Sequence, residues 1–231
     1  MNESSNDVIT TKFRYFGLSI AEREVLYSLL KEISYVYEEQ LDIGIIENTY
    51  MKHSITSNKE LDIIYATIID IDFSLEYNEQ FFQYFTFDRW YELKNIIKEI
   101  KKRRGRKLVN ILFRFSIPSL VNSTTTTNTK KIDYDKEDNN NNDNNYKSIS
   151  LNFFIINNIK RNFEMAIEKI EYLVDIIPLQ ITKLPENIFE ISYSFDDDSF
   201  KWNPYLAKGH EKNTNKLTEF HFKDGNWNIS R

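Results

Sequence analysis

Asp70 and Asp72 stand two residues apart in a segment whose apolar and polar residues alternate. On a strand, side chains at i and i+2 share a face. Two carboxylates on one face can hold a divalent metal for phosphoryl transfer. That chemistry also asks for a further ligand and a cation to orient the phosphate, and neither GxGxxG nor GxxxxGK[ST] occurs in the chain. The alternation offers a simpler account. Ser74 and Glu76 continue the same polar face, which places both aspartates on the solvated side of an amphipathic strand. Three further carboxylates, Asp196, Asp197 and Asp198, follow one another directly and read as a solvated turn, with contact to a basic partner as the alternative. His53, His210 and His221 share no HxH or HExxH spacing and read as unrelated surface residues.

The tract KKRRGRK places six cations in seven residues: Lys101, Lys102, Arg103, Arg104, Arg106 and Lys107. Such a run attracts phosphate backbones or serves as a nuclear-import address. It also suits the negative end of a helix, with Gly105 at the position where a left-handed residue closes the last turn. Phe113 and Phe115 nearby fall on an apolar strand face and read as core rather than as base-stacking platforms. Tyr35, Tyr37, Trp202 and Tyr205 are candidate anchors for a protein interface, because aromatic residues are enriched among binding hot spots.

Composition narrows the classes. The 231 residues carry a net charge of −5, no cysteine and only five glycines. Without cysteine there is no thiol catalysis, disulfide or thiolate-held metal, and scarce glycine argues against chemistry that depends on glycine-rich phosphate loops. A general nucleic-acid binder shows a basic excess, which this chain lacks. No apolar run reaches membrane-spanning length, and the polar start has no signal-like core. The expected location is the nucleus or cytoplasm, with no secretion and no membrane.

These residues need elements to position them. Residues 8–16 read as a strand. A helix follows from Ser19, with Glu22 completing a capping box; its stripe of Ala21, Val25, Leu29, Ile33 and Val36 predicts about five turns. Residues 41–46 form a weaker strand. The segment 61–77 holds the clearest one, with Ile69, Ile71, Phe73, Leu75 and Tyr77 on one side. Asp88 opens a helix that buries Trp90, Leu93, Ile97 and Ile100 and ends in the basic tract. Residues 108–117 return to strand. The Thr- and Asn-rich tract 122–147, with runs suggestive of AT-biased eukaryotic coding, can bury little apolar surface and reads as a disordered insertion. Then come a strand over 148–156, a helix over 159–177 and a strand carrying Phe189, Ile191, Tyr193 and Phe195. Residues 201–215 read as an irregular covering loop. A hairpin turning at Asp224–Gly225 ends the chain and pairs Phe222 with Trp227.

The expectation is a single α+β domain over 1–231: a mainly antiparallel sheet with about three helices packed on one face, interrupted by the insertion. No cofactor or metal is expected. The leading functional reading is a non-enzymatic subunit or adaptor acting on protein partners. A nuclear or nucleic-acid-associated protein using the basic tract comes second, and a metal-dependent phosphoryl-transfer enzyme using Asp70 and Asp72 third.

Overall fold

The chain builds its sheet from three successive β-α-β units followed by an antiparallel meander. A computed structural model describes residues 9–43, 66–84, 87–118, 148–156, 159–181, 184, 187–210, 216–223 and 225–229. The first unit is β1 (Thr10–Phe16), α1 (Ile20–Lys31) and β2 (Tyr35–Gln40). The second is β3 (Thr67–Glu76), α2 (Glu79–Tyr84), α3 (Phe87–Arg104) and β4 (Val109–Pro118). The third is β5 (Ser148–Ile156), α4 (Lys160–Glu168), a 3-10 turn (Glu171–Leu173), α5 (Ile177–Ile181) and β6 (Ile188–Asp196). Strands β7 (Lys201–His210), β8 (Leu217–Lys223) and β9 (Asn226–Ile229) complete one nine-stranded sheet in the order β2-β1-β3-β4-β5-β6-β7-β8-β9.

The sheet is mixed rather than purely antiparallel: five of the eight pairings among the described strands are antiparallel, as expected, and three are parallel. Within each unit the two strands are parallel neighbours, because a helical crossover returns the chain in the same direction. The units join each other antiparallel, at β1–β3 and β4–β5, and the meander is antiparallel throughout. Alternation along β3 and β4 says nothing about strand direction, and the opposite face is itself partly buried, with Ile68 and Leu112 in a second apolar patch. The described helices share one face, where Leu26, Leu93, Ile97, Phe163 and Ile167 pack on Phe13, Ile71, Phe113 and Phe153. With all crossovers on that face, the first two units are related by a two-fold rotation normal to the sheet, whereas the third steps across the sheet with the opposite hand. One of the two senses is therefore the rare left-handed crossover.

Helix α1 is shorter than its stripe predicts. It ends at Lys31, and Tyr35–Val36–Tyr37, strong strand formers, become β2. Ser34 makes the change of direction, its N–H donating to Leu30 O and its hydroxyl to Thr11 Oγ1. The buried stripe is Glu22, Leu26, Leu29 and Leu30, while Val25 is half exposed. The expected helix over 159–177 is broken after Glu168, and Pro178 sits in the first turn of α5, where a missing N–H costs nothing. Residues 201–210 are strand rather than covering loop. Pro204 is tolerated there because the ladder shifts register at Ser192/Tyr193. A Cβ on Gly209 would meet Asn187 O at 2.8 Å, so only glycine lets these backbones approach. Gly105 (φ 58°) closes α3 as expected, and the terminal hairpin pairs Phe222 with Trp227 and Phe220 with Ile229.

Between α3 and α4 runs a polar bridge that the sequence did not announce. Lys94 Nζ lies 2.8 Å from Glu168 and 3.0 Å from Glu171, which also accepts from Trp90 Nε1, and Lys98 pairs with Glu168. Burial alone would pull the Lys94 amine down, but the two carboxylates outweigh it and hold its pKa above the ordinary value. The insertion 122–147 lies outside the described residues. The strands flanking it, β4 and β5, are neighbours in one sheet, with Pro118 level with Ser148.

Candidate functional site

Asp70 sits at the middle of β3, level with Arg14 on β1, and Asp72 is level with Arg114 on β4. The sequence placed both carboxylates on a solvated face. Asp70 is instead 0 % exposed. Arg114 grips it with two bonds, Nε to Oδ1 at 3.2 Å and Nη2 to Oδ2 at 3.1 Å, and Arg14 Nη2 donates to Oδ1 at 3.3 Å. Arg14 also reaches Asp72 at 3.7 Å. Burial pushes the Asp72 carboxyl above its ordinary pKa; Arg114 and Arg14 pull against that without restoring it, and Asp70 adds to the rise. The two aspartates and two arginines balance. A divalent cation would have to displace guanidinium groups that already neutralise Asp70, and among the described residues no group of three His, Cys, Asp or Glu side chains is placed to hold one. The geometry is that of a buried structural ion cluster.

The same face continues across the sheet as a polar row, Lys12, Asp72, Arg114, Asn152 and Ser192, each level with the next. A recess of about 460 Å³ beside it is lined by Asp72, Ser74, Ser116, Ser148, Ser150 and Phe189. Its lining offers hydroxyls and one carboxylate, with no histidine or cation to complete an acid–base pair. Nearer the apolar patch of Ile68, Leu108 and Leu112, Asn110 is buried with neither amide atom hydrogen-bonded.

The basic tract divides. Lys101 is 1 % exposed, donates to Lys107 O at 3.2 Å and lies over the Phe163 ring; burial lowers its pKa. Arg104 donates to Thr67 Oγ1 and to Gly17 O, both at 2.9 Å, and pairs with Glu22 at 2.7 Å. Glu22 is the buried acid of the α1 capping box, bonded to Ser19 N–H at 2.9 Å. Burial alone would raise its pKa, but the hydrogen bonds from Arg104 and Ser19 hold it below the ordinary value. Two of the six cations thus hold the fold together. Lys102, Arg103, Arg106 and Lys107 remain exposed at the helix end.

The candidate anchors also separate. Trp202 is buried and donates to Ala166 O, and Tyr205 is partly buried. Tyr35 and Tyr37 lie on the edge strand β2, 58 % and 56 % exposed, with ring centroids 4.9 Å apart. The sequence singled them out by residue type but carried the first helix through Val36, between them. Asp198 N–H and Ser199 Oγ donate to Asp196, so that acidic run closes a turn. His210 ends β7 against the Phe189 ring, His221 is exposed on β8, and His53 lies outside the described residues. None of the described helices is long and apolar enough to cross a membrane. Compared with protein-family models, with curated proteins and with solved structures, the chain finds no match in any of the three.

Proposed function

We propose that this chain is a non-enzymatic subunit or adaptor that acts through protein–protein contact, in the nucleus or cytoplasm. The observation that carries the reading is the edge of the sheet. Strand β2 exposes five of its six residues, two of them tyrosines, and among the described residues β1 is its only strand neighbour. An edge strand without a proline or a bulge is a template for another chain, and exposed tyrosines are favoured interface anchors. Among the described residues, the ionisable cluster built on Asp70 is neutralised by its own arginines, which removes support from the metal-enzyme reading. Copurification of the tagged full chain from its native cells tests the proposal. Recovery within a stable complex is expected; recovery only as a free monomer across gentle salt conditions contradicts it.

A second reading, contact with nucleic acid, draws on the four exposed cations Lys102, Arg103, Arg106 and Lys107. Four phosphates at most could then be engaged, so log affinity should fall with log salt at a slope no steeper than about −2.8 to −3.6. Absence of binding at low salt rejects this reading. An import signal would instead relocate a reporter when these four residues are neutralised.

A further inference from the structure

We infer that β2 is a docking strand for an extended, lysine- or arginine-bearing segment of a partner protein, which adds to the sheet as a tenth strand. The inference rests on the adaptor reading and names its surface and partner chemistry. The phase of the β1–β2 ladder is fixed at both ends. Tyr35 N–H donates to Ile9 O and Leu41 N–H donates to Tyr15 O, each at 2.8 Å. In a parallel ladder alternate residues turn to the same neighbour, so Tyr35, Tyr37 and Glu39 bond to β1. Val36, Glu38 and Gln40 turn their N–H and C=O groups outward, away from β1. An incoming strand pairs with those three residues. Its side chains on one face meet Tyr35 and Tyr37, whose edge-to-face rings offer an apolar step.

Charge sets the rest of the partner. The strand carries Glu38 and Glu39 and no cation. Glu38 is shared with Arg23 of α1 at 3.4 Å, and Arg14, level with Glu39, is committed to Asp70 and Asp72. An extended segment with apolar residues at the tyrosine end and basic residues at the glutamate end complements both features. A second copy of this chain complements neither. Self-pairing brings Glu38 and Glu39 of both copies together, on molecules that each carry a net charge of −5. The opposite edge, β9, has only four residues, a length that itself discourages pairing.

The probe is a capped heptapeptide with valines in one half and lysines in the other, titrated against the full chain, beside the same peptide with glutamate for lysine. Binding of the lysine peptide at least tenfold tighter than the glutamate peptide is expected. Glu38→Pro removes an outward N–H and no ladder bond to β1, so it should weaken lysine-peptide binding at least tenfold with the thermal unfolding transition retained. If Glu38→Pro unfolds, Gln40→Pro, outward and without an ion pair, serves in its place. Equal binding of the two peptides, or binding untouched by the proline, overturns the inference. So does a dimer of the chain that the proline dissolves, which would make a second copy the occupant. If the Glu38→Pro chain still copurifies with its cellular partner, the docking strand is refuted and the adaptor reading stands. If the lysine peptide binds as expected but no cellular partner is recovered, the edge chemistry holds and the adaptor reading fails.

Discussion

Asp70 shows how a residue acquires its role from strands that are distant in sequence. Its partners, Arg14 and Arg114, are 56 and 44 positions away and meet it only because β1 and β4 flank β3. Removing one member of a buried, paired cluster leaves the others uncompensated and costs about 3–5 kcal/mol. Asp70→Asn should therefore lower the unfolding free energy by that order in urea titration. Asp72→Asn, at a third-exposed side chain, should stay within about 1 kcal/mol. Equal effects would contradict the cluster as drawn. Asn110 argues in the other direction. A buried amide without partners costs about 1–3 kcal/mol, so Asn110→Leu is expected to raise the urea midpoint beside Ile68 and Leu112. A lowered midpoint would mean that the amide is satisfied in solution.

The junction of α1 with the end of α3 depends on protonation at the scale of elements. Glu22 caps α1 and receives Arg104 from the last turn of α3. Its pKa is depressed on folding, so its contribution is complete above the ordinary glutamate value of 4.5 and is lost as pH falls through the lower folded value. Glu168, held low by Lys94 and Lys98 against the opposing effect of burial, adds in the same sense. Stability should thus decline on acidification below about pH 4.5, and Glu22→Gln should both flatten that acid limb and cost about 1–3 kcal/mol at neutral pH. Thermal unfolding from pH 7 to pH 2 checks both; an unchanged acid limb would remove Glu22 from the account. Much at this scale was legible in the sequence: the capping box, the inward face of α3, the Gly105 stop, the span of β5 and the hairpin register. Periodicity did not separate α1 from β2, since Ile33 and Val36 continue a helical spacing while Tyr35–Val36–Tyr37 favour strand. It also missed β7, where Pro204 and Gly209 read as loop until a register shift and a close backbone approach explain them. The two structural cations of the basic tract were hidden for the same reason as Asp70: their partners Glu22, Thr67 and Phe163 come from other elements.

For the whole molecule, topology decides what can be changed and what can be joined. Pro118 and Ser148 are level on antiparallel neighbours, so a short linker can replace residues 124–145. Changes of loop length cost only about 0.6 kcal/mol per doubling. The shortened chain should keep a cooperative thermal transition, and its loss would give the tract a role in the fold. The sheet's two ends differ in the same practical way, because among the described residues β2 offers a longer edge than β9. The claim that this molecule works by adding a partner strand at β2 is tested most directly by residue-resolved amide hydrogen exchange on the free chain and on the complex recovered from cells. The amides of Tyr37 and Glu39, already bonded to β1, should be protected in both states. Those of Val36, Glu38 and Gln40 should exchange freely in the isolated chain and become protected in the complex. Unchanged exchange at those three amides, with protection arising on another surface, would contradict the account.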